Sequence, residues 1–305
     1  MEKFKLNKTI YLVDAYAHIY RGYHAVRGLS TKAGQPTNAI YAMGKFLVNL
    51  EKEISPEFGV FVFDKGKSKD RIAIHPEYKA NRPPMPDDMR SQIEIIRSMI
   101  LASGWRIIEK EGYEADDLMG TIAHKFKDYK IQIISNDKDM AQVVNDRVSM
   151  LVTTPRVKGF TTRGVEEVNT KFEVKPEQII DYLALIGDSS DNIPGVAGIG
   201  PKTAAKLLSQ FGTIENMILN CSEIVNLKIR DKIEKSDELL KMNKKLISLD
   251  LNISIDKIQT VNDLLINSAD IDKLIDMADQ YELKSLVLSF KKDFKTQGTP
   301  DLFSF

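Results

Sequence analysis

Nine acidic side chains have the chemistry and spacing of ligands for hard metal ions. They follow predicted strands, open the helices after those strands, or precede a glycine-rich turn: Asp14, Asp64, Glu114, Asp116, Asp117, Asp137, Asp139, Asp188 and Asp191. Carboxylates with few histidines or thiols nearby select Mg²⁺ or Mn²⁺ rather than zinc. If the nine converge on one cleft, cations must balance their charge. We therefore expect two Mg²⁺ or Mn²⁺ ions about 3.5–4 Å apart, which activate a water and stabilise the leaving oxygen of a phosphodiester.

A structural role is the alternative interpretation for each acid taken alone. An Asp at a strand end or a helix start usually caps the helix or faces solvent in a turn. Capping or a supporting position beside the ligands is expected first for Asp117 and Asp137. The metal hypothesis depends on the repetition of one placement along the chain, not on any single acid.

A glycine-punctuated turn follows the last two acids, Asp188 and Asp191, and leads into a helix at Pro201. Bare backbone N–H groups at such a helix start suit a phosphate. A dinucleotide-binding turn is disfavoured because this turn follows a helix rather than a strand, whereas a simple interhelical connection stays open as the alternative. We predict a helix–turn–helix over 176–210 that grips a phosphodiester backbone without reading its sequence, through Gly195, Gly198, Gly200, Lys202, Thr203 and Lys206.

A long connection links Asp64 to the helix predicted from Asp87. Six of residues 65–82 are Lys or Arg and two are Asp or Glu, and a compact enzyme rarely carries so long a loop without a use for it. Basic side chains next to Tyr78 are suited to hold phosphates while the ring stacks on a base. A solvated, mobile loop is the alternative. With the acids and the glycine turn, the pattern favours metal-dependent cleavage of nucleic acid.

The elements that position these residues follow an α/β pattern. Apolar runs separated by helices predict a mainly parallel sheet covered on both faces, with strands at 9–14, 58–63, 105–108, 131–134 and 148–152 and a hairpin turn at Lys158–Phe160. Acids just past strand ends stand where open α/β sheets place their active sites. Helices are predicted at 37–54, 87–103, from the acids near 114 to about 129, 176–186 and 201–210, and the chain is mostly helical after Arg163.

Composition sets further limits on what the protein does. Its 305 residues are 43% hydrophobic and 28% charged, and a single cysteine, Cys221, allows no internal disulfide and fits a reducing cytoplasm. No apolar run approaches the roughly 20 residues of a membrane span, and we expect no signal peptide and no membrane partner. The formal net charge is zero, which argues only weakly against nucleic acid because charge placement matters more than the sum.

These motifs together resemble the 5′-nuclease or flap endonuclease superfamily, in particular the 5′–3′ exonuclease domain at the N-terminus of bacterial DNA polymerase I. The resemblance covers roughly residues 9–250 and is carried by 11–14, 62–64, 78–83, 112–117, 137–139, 187–192 and 195–204. It implies a PIN-like 5′-nuclease core over 1–172 with a helical arch at about 65–86. A helical DNA-binding region over 173–290 then contains a helix-hairpin-helix-type turn and completes the metal site, before a tail over 291–305.

The resemblance also implies roles for individual residues. The first metal lies among Asp14, Asp64, Glu114 and Asp116, and the second among Asp137, Asp139, Asp188 and Asp191, with Asp117 in support. The arch residues Tyr78, Lys79 and Arg82 contact the threaded 5′ strand, and Arg21 and Arg71 lie near the scissile phosphate. The turn at 195–200 is a candidate for binding K⁺ through backbone carbonyls.

The function so implied is a structure-specific 5′–3′ exonuclease and 5′-flap endonuclease of primer removal and DNA repair. Its expected substrates are DNA with 5′ flaps, nicks or free 5′ ends, and RNA primer–DNA hybrids. Because the chain ends where a polymerase would continue, we expect a free-standing bacterial monomer in the nucleoid-containing cytoplasm, acting beside a separate DNA polymerase. The apolar end of 297–305 is similar to peptides that dock on the sliding clamp, with a loose terminus as the alternative.

Two other functions compete with this one. The first is a non-catalytic binder of branched DNA that keeps the fold, which the intact set of nine acids disfavours. The second is a ribonuclease of a related metal-dependent fold, which the predicted arch and glycine turn disfavour.

Overall fold

The central feature of the computed structural model, which describes residues 8–154 and 157–294, is a six-stranded sheet. Its strands are β1 Thr9–Asp14, β2 Phe58–Val62, β3 Arg106–Ile108, β4 Lys130–Ile134, β5 Val148–Thr154 and β6 Val157–Arg163. They lie in the order β3-β2-β1-β4-β5-β6, with parallel neighbours except for the antiparallel pair β5–β6. The predicted mainly parallel sheet is confirmed.

Helices cover the sheet and form the C-terminal region. They are α1 Ala15–Ala25, α2 Asn38–Glu53, α3 Lys69–Ile74, α4 Asp87–Arg90, α5 Ile93–Ala102, α6 Ala115–Lys125, α7 Val165–Phe172, α8 Ile179–Ile186, α9 Pro201–Phe211, α10 Ile214–Leu219, α11 Leu227–Glu234, α12 Asp237–Ile247, α13 Ile271–Gln280 and α14 Lys284–Asp293. A short hairpin of β7 Gly187–Asp188 and β8 Ile193–Pro194 separates α8 from α9. Within the described ranges, no helix is long and apolar enough to cross a membrane.

The two faces of the sheet bury separate cores, which explains the continuous apolar strands. Alternate residues of a strand point to opposite faces, so Leu12 and Val60 pack in one core while Val13 and Phe61 pack in the other. The first core also takes in buried residues of α6, α8, α9 and α12, and the second those of α1, α2, α5, α13 and α14. A sheet covered on both faces leaves only its strand ends for chemistry.

The carboxyl ends of the parallel strands bring the first acids to one edge. Asp14 ends β1 and pairs in register with Val62, and Val13 pairs with Ile134 of β4. Asp64 and Asp137 follow the ends of β2 and β4 by two and three residues. Side chains that are far apart in sequence therefore meet at this edge.

Two predicted helices differ from the observed ones: one is interrupted in the middle, and the other ends earlier than expected. The helix expected over 87–103 is divided into α4 and α5. The side chain of the fully buried Gln92, at the division, accepts hydrogen bonds from the first N–H groups of α2, at Ala39 and Ile40 (2.9 and 3.1 Å). The helix expected to reach about 129 ends at Lys125, where Phe126 leaves the helical conformation and packs into the core.

The hairpin turn expected at Lys158–Phe160 was wrong, because these residues lie inside β6. Val152 of β5 pairs with Thr161 of β6, and Thr154 pairs with Val157. Between these two pairs β6 therefore has more residues than β5. The extra residues form a bulge, and Gly159 has a φ of +85°, which a glycine adopts without strain. The glycine signal was therefore a bulge rather than a turn.

The segment 65–86, called the arch segment below, is mostly non-helical and folds against the β7–β8 hairpin. Only α3 and no further helix lies within the described arch segment. Its second half runs along residues 189–192, with hydrogen bonds from the Lys79 amide to the Asp191 carbonyl (2.9 Å) and from the Asn81 side chain to the Ser189 carbonyl (2.6 Å). Its function as an arch stays a prediction.

The C-terminal tail was expected from residue 291, but α14 continues to Asp293 and Phe294 is buried. Aromatic contact explains this extension, since the rings of Phe290 and Phe294 meet edge to face at 5.5 Å. The clamp-like stretch 297–305 lies outside the described residues.

Gly187 provides a test of how the hairpin is joined to α8. Its φ is +74°, and a Cβ on Gly187 would lie 2.3 Å from the amide nitrogen of Gly195. We expect Gly187→Ala to lower the free energy of unfolding by at least about 2 kcal/mol, through backbone strain and the clash, measured by chemical denaturation. Gly200→Ala is the matched control, because a Cβ there meets no atom within 4 Å. Equal stability of the two variants would contradict the prediction.

Candidate metal-dependent nuclease site

Two acids at the sheet edge are held by the helices that follow the strands. Asp14 caps α1, accepting from the amide of Ala17 at 3.0 Å, and its second oxygen accepts from the Ser135 hydroxyl at 3.0 Å. Asp64 accepts from the amide of Ala115, the first residue of α6, at 2.9 Å. Such bonds to helix N-termini fix a carboxylate in place and favour its negative charge. Asp14 and Asp64 therefore both bind a helix N-terminus and line the cavity described next.

A cavity of about 740 Å³ opens over this edge and is lined by both acidic and basic side chains. Its acidic lining residues are Asp14, Asp64, Glu114, Asp116 and Asp137, and its basic ones are Lys67, Lys79 and Arg82. Tyr16, Tyr20 and Met85 add apolar walls. Five of the nine predicted acids thus share one cavity.

Three further acids form a compact group beside it. Ligand oxygens of Asp139, Asp188 and Asp191 all lie within 4.8 Å of one another. In the part of the chain that the structure describes, the buried Oδ1 of Asp139 has no hydrogen-bond partner. An unsatisfied buried carboxylate oxygen is costly, and three converging carboxylates suit a hard divalent cation. The donor set therefore fits a metal such as Mg²⁺ or Mn²⁺.

Electrostatic repulsion connects the two groups of acids. Burial, and then the charge of Asp64, raises the pKa of Asp14 to about 7. Burial, and then the charge of Asp137, raises the pKa of Asp139 to about 8 and that of Asp116 well above its usual range. Asp137 therefore faces both groups. Burial would also raise the pKa of Asp188, but hydrogen bonds from Ser190 and the charge of Lys138 outweigh it and lower that pKa.

Lys79 and Arg82 of the arch segment lie directly against the acids. The Lys79 ammonium donates to Glu114 at 2.7 Å and lies 3.6 Å from Asp191, which also pairs with Arg82. Lys79 has a φ of +54°, an uncommon conformation that is held by the hydrogen bond from its backbone N–H to the Asp191 carbonyl. Positive charges thus stand at the boundary between the two groups of acids.

Tyr78 is placed differently from the expectation that its ring stacks on a base. The side chain is only 4% exposed, and its hydroxyl is within hydrogen-bond distance of Glu114 (3.1 Å) and Asp191 (3.2 Å). A phenol hydroxyl that reaches two carboxylates explains why this aromatic residue is drawn inward. In this structure Tyr78 joins the acids to the arch segment.

Arg71, expected near the scissile phosphate, is buried against the acids, and its role toward a phosphate stays a prediction. It is 6% exposed and donates to Glu114, to both oxygens of Asp117, and to the carbonyls of Leu246 and Ser248. These five bonds use the five N–H groups of a guanidinium. Asp117 is correspondingly bound to Arg71 and stands behind the acids that line the cavity.

The glycine turn, residues 195–200, exposes the start of α9. Gly198 and Gly200 are exposed, Gly200 is the N-cap of α9, and Pro201 is its first residue. Gly200 has no side chain to cover the N–H groups of the first turn. Lys202 and Lys206 are exposed, and Thr203 is half-buried.

Arg21 lies on α1 outside the residues that line the acidic cavity. It donates to the Thr153 hydroxyl of β5. Burial lowers the pKa of Arg21, and the negative charge of Asp14 partly offsets this.

Several residues at the site were not foreseen from the sequence. Ser135 donates to Asp14 and accepts from the amide of Asp137, and Lys138 pairs with Asp188 at 3.2 Å. The position of Ser135 and Lys138 between the end of β4 and Asp139 was the sequence signal that could have indicated a role at the site. Lys232 of α11 is a third, since its ammonium would lie 2.5 Å from a Cβ on Gly198. No motif marked Lys232, because α11 approaches the turn only in the folded chain.

Comparison with known families identifies the class of this protein. The model of the 5′-3′ exonuclease N-terminal resolvase-like domain matches residues 9–173, and that of the 5′-3′ exonuclease C-terminal SAM fold matches residues 174–272. The chain therefore belongs to the 5′-3′ exonuclease family, and its class is that of a nuclease, a hydrolase of phosphodiester bonds.

Individual relatives agree with this assignment. The chain is 38% identical over 298 residues to a 5′-3′ exonuclease of Aquifex aeolicus, covering 97% of this chain and 100% of that protein. It is 36% identical over 260 residues to the thermostable DNA polymerase I of Thermus thermophilus, covering 84% of this chain and 31% of that protein. The chain thus spans about a third of the polymerase and the whole of the exonuclease.

Solved structures share the fold. T5 5′-exonuclease with bound zinc has a TM-score of 0.67 and 23% identity, covering 94% of this chain and 100% of that chain. The catalytic core of Rad2 in complex with a DNA substrate has a TM-score of 0.65 and 16% identity, covering 97% of this chain and 94% of that chain.

The raised pKa of Asp139 predicts a pH-dependent gain in stability on its neutralisation. Its folded-state pKa of about 8 lies above the unfolded value near 4, so ionisation between these values costs folding free energy as the pH rises. We expect Asp139→Asn to be about as stable as the unaltered protein at pH 4 and more stable by roughly 1–3 kcal/mol at pH 8. Chemical denaturation in EDTA measures both.

The comparison with the unaltered protein at each pH removes the contribution of other titrating groups. Among these is His18, whose pKa burial lowers to about 3. Asp146→Asn is the control, because Asp146 is exposed and follows no site strand. A stability difference that stays constant from pH 4 to pH 8 would contradict the assigned repulsion.

Proposed function

We propose that this protein is a structure-specific 5′–3′ exonuclease and 5′-flap endonuclease that works with two Mg²⁺ or Mn²⁺ ions in primer removal and DNA repair. The observation that carries the proposal is the meeting of two acidic groups through Asp137, one of them with a buried Asp139 oxygen that has no hydrogen-bond partner among the described residues. Family membership agrees with it. Buried charges of one sign in such number call for cations.

The residues would divide between two ions. Asp14, Asp64, Glu114 and Asp116 would hold the first, and Asp137, Asp139, Asp188 and Asp191 the second, with Asp117 supporting through Arg71. Bound ions supply an activated water and stabilise the leaving oxygen. Tyr78 and Arg71 hold Glu114 in place, and Lys79 and Arg82 bring positive charge toward the scissile phosphate. The chain's own residues thus orient the phosphate between the two acidic groups.

DNA is the proposed substrate, and the glycine turn its second point of attachment. The exposed start of α9, with Gly195, Gly198 and Gly200, offers backbone N–H groups to a phosphate. Lys202, Thr203 and Lys206 flank it, Arg21 adds charge near the sheet edge, and the backbone carbonyls of the turn at 195–200 would hold K⁺. Such contacts position a duplex without reading bases. DNA with 5′ flaps, nicks or free ends, and RNA primer–DNA hybrids, therefore fit.

The chain would work as a nuclease core over 1–172 with the arch segment, a helical DNA-binding region over 173–290 and a tail. We propose a monomer that acts in the bacterial cytoplasm at the nucleoid, beside a separate DNA polymerase. The tail at 297–305 would contact the sliding clamp. Gel filtration and a clamp pull-down with residues 297–305 deleted test these points.

A cleavage assay tests the proposal. A duplex with a labelled 5′ flap is incubated with the protein in Mg²⁺, in Mn²⁺ or in EDTA. We expect release of short 5′ products near the junction only with a divalent ion. Tight binding without release in either metal would instead support a non-catalytic binder of branched DNA, and cleavage confined to RNA would support a ribonuclease.

Asp116→Ala tests the assignment of the acids. Mutation of residues that only support metal ligands typically lowers metal affinity or activity about 10- to 100-fold. For a ligand itself we therefore expect the cleavage rate to fall by more than about 100-fold. The dissociation constant for flap DNA should stay near that of the unaltered protein. Asp146→Ala, an exposed Asp outside the site, is the matched control. Retained turnover of Asp116→Ala in Mg²⁺ would refute the site assignment.

Lys79→Ala tests the role of the arch segment. Removal of a positive donor aimed at the reacting phosphate costs roughly 100-fold, and we expect the loss chiefly on substrates with a free 5′ end. Lys130→Ala, at the opposite edge of the sheet and exposed, is the control. An unchanged rate with Lys79→Ala would remove the arch segment from the mechanism.

A further inference from the structure

The two acidic groups belong to different parts of the chain. The sheet edge carries Asp14, Asp64 and Asp116, while Asp188 and Asp191 lie in or next to the β7–β8 hairpin. The glycine turn continues directly from that hairpin, since Gly187 pairs with Pro194 and packs against the backbone of Gly195. The hairpin acids and the turn therefore move together, and something must fix both relative to the sheet edge.

Helix α12 is fastened to the hairpin by one fully buried residue. The Asn243 side-chain amide donates to the carbonyl of Pro194 at 2.6 Å and to that of Ala184 at 2.9 Å. Pro194 immediately precedes the glycine turn, and Ala184 belongs to α8. One side chain thus ties α12 to the start of the turn.

The C-terminal end of α12 is fastened to the sheet-edge acids. The Leu246 carbonyl accepts from Arg71 at 2.8 Å and the Ser248 carbonyl at 3.1 Å, and the same guanidinium donates to Glu114 at 3.1 Å. Asp117 accepts from Arg71 and from the amide of Asp250, at 2.9 Å. The C-terminal end of α12 and the acid Glu114 therefore both accept hydrogen bonds from the buried Arg71.

Two more side chains, one buried and one half-buried, hold the same stretch. Gln142 donates to the Ile247 carbonyl at 3.0 Å and accepts from the Leu249 amide at 3.1 Å. Thr121 of α6 donates to the Asp250 carbonyl at 2.9 Å. Residues 246–250 are thus bound along their backbone by side chains from α3, α6 and the β4–β5 connection.

We propose that α12 is a spacer that fixes the distance between the glycine turn and the sheet-edge acids and so determines which phosphodiester is cut. Arg71 and Asn243 are its positioning residues. This inference rests on the proposed function, because it concerns where the cut falls on a duplex held at the turn.

The dimensions of DNA and of the helix make the cut position sensitive to this spacer. Successive phosphates on one strand of a duplex are about 3.4 Å apart along the axis. Asn243 and Leu246 are three residues apart, about 4.5 Å along a helix. Two fasteners within one helical turn form a stiff joint, and a shift of the turn by a few ångströms would bring the neighbouring phosphate to the acids.

The test is the position of cutting, read at single-nucleotide resolution. Asn243→Leu keeps similar volume without a donor, and Arg71→Lys keeps the charge but not the fork of five donors. On a 5′-labelled flap duplex in Mg²⁺, we expect each variant to raise the fraction of products one nucleotide from the main cut about fivefold, the factor that one typical hydrogen bond supports. A fraction of products does not depend on how much enzyme is active.

Matched substitutions separate positioning from general damage. Asn220→Leu removes an exposed asparagine whose bond is local, to the Asn216 carbonyl. Arg147→Lys alters a half-buried arginine bound to the carbonyls of Ala123 and Phe126. Both controls should keep the product distribution of the unaltered protein.

Amide hydrogen exchange provides a readout besides cleavage. Arg71→Lys should speed exchange at Leu249 and Asp250, and Arg147→Lys should not. Faster exchange in Arg71→Lys together with an unchanged product distribution would overturn the inference. If Asn243→Leu does not fold, Arg71→Lys alone decides, and an unchanged product distribution in that variant would overturn the inference. Absence of any product from the unaltered protein would refute the proposed function itself, and the inference would fall with it.

Discussion

Mutual repulsion among buried carboxylates is the constraint on which this structure depends. Burial and neighbouring acids raise the pKa of Asp14, Asp116 and Asp139 together, and Asp137 contributes to all of them. A fold selected only for stability gains nothing from such a cluster. The same repulsion makes the edge of the sheet a strong site for divalent cations, so the cost in folding and the capacity for metal have one origin.

The fold meets this constraint by dividing the acids among rigid elements. Parallel strands deliver Asp14 and Asp64 to one edge, α6 delivers Asp116, and the β7–β8 hairpin delivers Asp188. Lys79 and Arg71, both from the arch segment, then reach Glu114 with their positive charges. Asp14, Asp64, Glu114 and Asp191 are each held by a hydrogen bond or ion pair, which keeps these like charges close without collapse of the site.

Much of this arrangement could be predicted from the sequence because it follows from local pattern. Continuous apolar strands separated by helices predict a two-sided parallel sheet, and acids at the ends of such strands must meet at one edge. The glycine turn and the helix starting at Pro201 were equally visible, since Gly and Pro restrict the backbone in ways that do not depend on tertiary contacts. Gly159 shows the limit, because the same residue type serves a turn or a bulge.

The remainder depended on contacts between distant segments. Tyr78 was assigned to nucleic acid because it stands in a basic loop, and Arg71 because of the family resemblance, yet the structure buries both against carboxylates. Asn243 had no distinguishing signal, since a polar residue in a helix is usually exposed. Its role becomes visible only when α12 is packed against Pro194. Side-chain direction and helix packing, rather than residue type, separate these supporting residues from those that face the cavity.

Location of Mn²⁺ by anomalous scattering in crystals of the protein tests the central claim most directly. The account predicts two ions about 3.5–4 Å apart in the acidic cavity, one of them bound by Asp139, Asp188 and Asp191. Saturating Mn²⁺ that gives no anomalous peak among these carboxylates, or a peak only at some other surface, would contradict it.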